Sequence, residues 1–340
     1  YFVISLDQLL SGGLVGSRYL SNTDLSKEYA IIDYLVELCE HNTVYVFDTV
    51  MRLASTVNYN GLQQSEYDLI RAYGAEPRKI LTGSELTIER IIAGYRSGPD
   101  GEEIATTLSE EQIENYFASR ERKLRLIDRL LRNGGDKLAY LFIGVDDSTP
   151  GNTIQTNEIS YIRTLLGEQA TLFAGADELG MLGVARLAND LAPQQVTART
   201  LYYGGGADQA ADDYDIETLR ENLNKHLGSI DVGVVVSARE EADLDVLVLT
   251  RSSYLQSAAA SLVKKLEENI CTPLTQAMNR KIRMNFTANS MYRALPLSPN
   301  RPTIWFGNRC TSAHIITASE VANATPSQSV LRTRAMIFAP

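Results

Sequence analysis

The chain reads as an α/β protein: a mostly parallel sheet flanked by helices, Rossmann-like, in two lobes and with a helical insertion. Three observations predict this. Apolar runs with strand character alternate with helical stretches, which calls for parallel crossovers. Four of those runs end in carboxylate, at Asp7, Asp48, Asp146-Asp147 and Asp177-Glu178, as expected where an α/β sheet gathers polar chemistry at one edge. At 340 residues the chain is also long for one core. A (β/α) barrel is the alternative, because about eight strand candidates would allow closure.

Taken in order, the strand candidates are 1–6, 43–47, 138–144, 171–175, 196–203, 230–236, 244–249 and 302–306. Leu138-Ala139-Tyr140-Leu141-Phe142-Ile143 and Thr171-Leu172-Phe173-Ala174 are short, continuous apolar runs of the kind that form buried strands. Helical spacing places Leu25, Ile31, Ile32, Leu35, Val36 and Leu38 on one helix over 24–39. The longest helix is predicted over 110–132, with Ile113, Tyr116, Phe117, Leu124, Ile127, Leu130 and Leu131 on one stripe, stopping at Asn133-Gly134-Gly135. Further helices are expected over 178–191, 215–227 and 255–270. The acidic link between 230–236 and 244–249 is too short for a helical crossover, so an antiparallel pair or a wrongly assigned strand is expected there.

These elements divide into a first α/β lobe over 1–195, which includes a helical insertion at 58–133, and a smaller second α/β lobe over 196–340. The polar part of the insertion, 58–107, is expected to cap the sheet edge as a lid or side subdomain. Beyond residue 289 periodicity is poor and the chain is expected to be loop-rich. No internal repeat emerges.

A hydrophobic share of 44% and a net charge of −10 describe a water-soluble globular chain and argue against a nucleic-acid partner, which needs clustered cations. The densest basic stretch, Arg120-Glu121-Arg122-Lys123-Leu124-Arg125, reads as mostly a solvated helix face. Three scattered cysteines exclude a disulfide framework or a CxxC knuckle, and three histidines show no zinc spacing. Any metal would be oxygen-ligated, Mg²⁺, Mn²⁺ or Ca²⁺ in type. No apolar run approaches the roughly 20 residues that span a bilayer. The chain opens inside a strand, without Met or signal peptide, so we expect an incomplete N-terminus, with the cytoplasm the favoured compartment.

The strand ends supply the candidate chemistry. Asp146 and Asp147 lead into Ser148-Thr149-Pro150-Gly151, and Glu158 falls in the first turn of a following helix. The plainer alternative is an Asx-turn satisfying local backbone donors. Asp177 and Glu178 follow Gly175-Ala176, with Asp177 as a simple N-cap as the alternative. After Asp7, Gly12 and Gly13 would let backbone approach a ligand, and Arg18 could fork onto a carboxylate or phosphate. The spacing fits neither GxGxxG nor a P-loop, so no nucleotide cofactor is expected. Arg52, after Asp48, would place a second cation at the same edge. Tyr202-Tyr203-Gly204-Gly205-Gly206 and the acidic run Asp208, Asp212, Asp213 and Asp215 read better as a strand exit and a solvated loop than as sites.

Ser5-Leu6-Asp7, Gly12-Gly13-Leu14-Val15-Gly16-Ser17-Arg18, Met51-Arg52, Arg120, Asp146-Asp147 with Pro150-Gly151, and Gly175-Ala176-Asp177-Glu178 occur in one order. In these blocks the chain resembles a bacterial domain-of-unknown-function family, number 4127 in that series, over about residues 1–250. The resemblance implies an upstream strand missing here, and implies that residues 251–340 depart from the pattern. It implies site residues rather than a reaction.

Two functions are in view. The first is a carboxylate-dependent hydrolase of a polar small molecule or glycoside, with Asp146 or Asp147 and Asp177 or Glu178 as acid and base or nucleophile. Asp7, Gly12, Gly13, Arg18 and Arg52 would hold the substrate. In a variant, Asp7, Asp146 and Asp177 hold Mg²⁺ or Mn²⁺ to activate water. The second is a non-catalytic protein that binds a sugar or another small ligand.

Overall fold

A computed structural model describes residues 1–192, 194–203, 207–209, 214–236, 242–249 and 333–338. It divides into two compact units, the first comprising Tyr1–Pro193, Asp213–Glu217 and Asn224–Asp231, the second Gln194–Asp212, Thr218–Leu223 and Val232–Pro340.

The first unit is built on four strands, β1 (Phe2–Ser5), β2 (Val44–Val50), β3 (Tyr140–Val145) and β4 (Ala170–Ala174), side by side in that order and all parallel. The sheet is open, with β1 and β4 at its ends, so the barrel alternative is not what forms. Its register puts Ser5 beside Phe47 and Phe47 beside Phe142, which aligns the acid-bearing strand ends. Successive strands are always added on the same side, so crossovers of one hand carry their helices to one face. These are α3 (Ser26–Leu38), α6 (Glu110–Gly134) and α7 (Gln155–Leu165). Val46, Leu141, Ile143 and Leu172 meet Ile32, Leu35, Ile127, Leu130 and Ile162 there in one buried core.

The opposite face, with Val3, Phe47 and Phe142, is covered by α8 (Leu179–Asp190). That helix comes close enough to need glycine. A methyl group on Gly183 would lie 2.7 Å from Val3 Cγ1.

Segment 58–107 carries α4 (Gln64–Ala75) and α5 (Ile88–Ala93), and its Ile70, Tyr73, Leu81, Ile91 and Tyr95 join the same core as the sheet. Helix α6 begins at a reciprocal cap between Ser109 and Gln112. Its basic stretch is not a solvated face. Arg120, Arg122 and Lys123 are 1%, 1% and 3% exposed, because each reaches a carboxylate or carbonyl that compensates for its burial.

Two short helices, α1 (Leu6–Ser11) and α2 (Leu14–Ser17), follow β1 directly. The Ser5 side chain caps α1, and Gly12 ends it at φ +72° before Gly13 turns the chain at φ +136°. In the second unit β5 (Thr197–Tyr203) pairs parallel with both β6 (Gly233–Val234) and β7 (Leu244–Leu249), and β7 with β8 (Thr333–Phe338). The antiparallel pair expected of β6 and β7 therefore does not form. They lie on opposite sides of β5, so their short link joins strands that are not neighbours. Helix α9 (Leu219–Ser229) falls close to its predicted span. The strand expected at 302–306 and the helix expected at 255–270 lie outside the described residues, as do Gly204, Gly205, Gly206, Asp212 and Asp213.

Candidate functional site

The C-terminal ends of β1, β2 and β3 carry a set of buried charges. Asp146 and Asp147 leave β3 in succession. The Asp146 amide still continues the ladder to the Val50 carbonyl at 3.2 Å, and the Asp147 carbonyl accepts from Leu53 at 3.2 Å. Each carboxylate takes its own arginine. Arg18, at the end of α2, donates to Asp146 and, at 2.5 Å, to Thr56. Arg52, just past β2, donates to Asp147. The first pair is buried; the second is half-open, its side chains 17% and 27% exposed. Burial pushes the Asp146 carboxyl up, against the pull of Arg18 and Arg52 and with a further push from Asp147.

A second knot lies beside the first. Lys123 of α6 donates to Asp7 at 2.7 Å and to Asp48 at 2.5 Å, while Thr49 donates to Asp7 at 2.8 Å. Burial raises both carboxyls, but Asp7 has Lys123 and Thr49 as donors and ends below its ordinary value. Asp48 is more deeply buried, feels the Asp7 charge, and has one oxygen, Oδ2, without a hydrogen-bond partner among the described residues. Its carboxyl is pushed up to about 7. Lys123, flanked by both acids, is raised despite its burial.

Behind them, Arg120 closes on Glu158 through two bonds of 2.9 and 2.5 Å and donates to the carbonyls of Arg52 and Met51 at 2.8 and 3.3 Å. Tyr95 donates to Glu158 at 2.7 Å, and Gln155 bridges the carbonyls of Met51 and Asp146 at 2.8 and 3.3 Å. This network fixes the two loops that carry Arg52 and Asp146.

Of the predicted residues, Asp146, Asp147, Arg18 and Arg52 are brought together, and Asp7 sits in the adjoining knot. Gly12 and Gly13 shape the turn between α1 and α2, where the Gly13 amide donates to the Asp7 carbonyl at 3.1 Å. Glu178 is buried against His226 at 2.9 Å, with the Phe173 ring 4.4 Å from the imidazole. Asp177 is exposed at the end of β4 and does not cap α8, whose N-cap position is Glu178 with no side-chain cap bond. The trio Asp7, Asp146 and Asp177 is not gathered. Among the described residues no three His, Cys, Asp or Glu side chains form a group suited to a metal ion. One oxygen of each of Asp7 and Asp146 is held by a cation, and that arrangement does not suit a divalent metal.

Lys123, Asp48, Glu158 and Gln155 were not among the predicted site residues. For Lys123 and Arg120 the helix phase carries the signal. Both lie on the spacing that links Tyr116 to Leu124 and Ile127, so they belong to the buried stripe.

Among the described residues no helix is long and apolar enough to cross a membrane. A family described as "Protein of unknown function (DUF4127)" matches residues 1–289. That match runs past residue 250 into the segment read from the sequence as departing from the pattern. No curated protein and no solved structure matches the chain.

Proposed function

We propose, for a chain that belongs to the DUF4127 family, a carboxylate-dependent hydrolase of a polar small molecule or glycoside, with Asp146 and Asp147 as its acid pair. One observation carries this reading: two consecutive acids at a parallel strand's C-terminal end occupy unlike surroundings. Asp146 is buried with its carboxyl pushed up, whereas Asp147 is partly open to solvent beside Arg52. Carboxyls whose environments differ in this way divide into proton donor and proton acceptor. In this reading Asp146 passes a proton to the leaving group, and Asp147, the one within reach of water, takes the proton from the attacking water. Arg18 and Arg52 orient the pair, and Arg120 and Gln155 hold the loops that present it. Glu178 is engaged with His226, and neither it nor Asp177 is given a proton-transfer role in this reading.

The test is turnover of a panel of aryl glycosides and aryl esters, with and without EDTA, by the parent and by Asp146→Asn and Asp147→Asn. Loss of about 10²-fold or more in either folded variant is expected for a general acid or base. Unchanged turnover in both would remove the pair from the chemistry. A second reading, a non-catalytic protein for a sugar or small ligand, is favoured by the arginine already on each acid. It predicts saturable binding with no turnover on any member of the panel.

A further inference from the structure

We propose that the mouth of the first sheet recognises an oxyanion, the carboxylate or phosphate group of its ligand, through Arg18, Arg52 and Arg71. Three guanidinium groups are set on three successive residues. Arg18 lies on the Asp146 carboxylate, Arg52 on the Asp147 carboxylate, and Arg71 on the Ser148 carbonyl at 3.2 Å.

Each keeps a buried nitrogen without a hydrogen-bond partner among the described residues: Nε of Arg18, Nε of Arg52 and Nη1 of Arg71. Buried donors are nearly always matched in folded proteins, so three around one loop call for an acceptor. An oxyanion offers several lone pairs, and the planar fork of arginine fits it.

Charge points the same way. Three arginines stand beside two acids on this loop, so cations outnumber acids there. The other buried cations nearby are taken up elsewhere, Lys123 by Asp7 and Asp48 and Arg120 by Glu158.

Arg71 is placed for this task. It stands one turn after Tyr67 on α4, so both side chains share a helix face. Tyr67 meets Arg52 at 3.5 Å, and the Arg71 guanidinium stacks over the Tyr214 ring at 4.6 Å. The partial exposure of Arg52 and Asp147 leaves this face open to a ligand.

The inference rests on this mouth being the functional site, and its test reads binding without turnover. Thermal unfolding of the full chain is followed at rising inorganic phosphate, D-glucuronate or D-glucose, with sodium chloride at matched ionic strength as reference. A saturable Tm rise of roughly 3 °C or more is expected for phosphate or glucuronate at high occupancy, and none for glucose. A response to phosphate alone assigns a phosphoryl group, and to glucuronate alone a carboxylate.

Arg71→Gln should weaken the half-saturation concentration at least 5-fold, and Arg71→Lys less. Arg129→Gln, at the exposed pair with Asp33, should leave it unchanged. Should Arg71→Gln not fold, calorimetric titration of the parent with phosphate and glucuronate decides: saturable heat is expected, and its absence with both overturns the proposal. No thermal response beyond that to chloride, or an equal response in Arg71→Gln, overturns it as well. Absent hydrolysis with a preserved response overturns only the hydrolase reading.

Discussion

Asp48 is a carboxyl buried to 1% exposure at the end of the first sheet. It shares Lys123 with Asp7, and one of its oxygens lacks a hydrogen-bond partner among the described residues. Its folded carboxyl titrates at about 7, above the ordinary 3.8, so the folded state binds the proton more tightly than the unfolded chain. The stability this confers is complete below about pH 4 and is lost as pH rises to about 7. Asp7 works in the opposite sense, since its lowered carboxyl costs stability as pH falls through the acid range. Asp48→Asn removes the first dependence. Urea midpoints should show the variant close to the parent near pH 4 and increasingly more stable than it as pH rises to about 7. Equal slopes in both proteins between these limits would place the proton elsewhere.

Helix α6 is amphipathic by count, yet its buried stripe contains cations. An apolar stripe interrupted by Arg120 and Lys123 looks like a mixture of core and surface until the acids opposite are known. Those acids come from α1, β2 and α7, and no local rule of spacing assigns them. Lys123→Met would leave Asp7 and Asp48 buried without their cation, and a loss of about 3–5 kcal/mol is expected from urea unfolding. A loss under about 1 kcal/mol would show that the cluster relaxes around a neutral side chain. On the other face of the sheet, Gly183→Ala brings a methyl to 2.7 Å from Val3 Cγ1. Overpacking costs about 1–3 kcal/mol, and the gain in helix propensity returns up to about 1, so a net loss of roughly 1 kcal/mol is expected. Thermal unfolding reads its sign directly.

At the scale of the molecule, the open sheet places β2 and β3 at the centre of the first unit, covered on both faces. Hydrogen exchange should be slowest at residues 44–50 and 140–145, and faster along β1 at the sheet's edge. Protection distributed evenly over all four strands would contradict this layering. Among the first four strands and the main helices, element type was legible in the chain, because an apolar run and a 3.6-residue stripe are local properties. The turn at Gly12-Gly13 and the acids closing each strand were legible for the same reason. Strand order was not, and β6 and β7 show why: adjacency in sequence carried no information about the strand inserted between them. The site was divided in the same way. Sequence alone marked Asp146, Asp147, Arg18 and Arg52 as candidates, since charged residues at the ends of buried strands identify themselves. Only the tertiary structure decided that Arg18 meets Asp146 across 128 positions and that Lys123 meets Asp7 across 116. The pairing of buried charges depends on which backbones the core brings together, and that is a property of the packed whole.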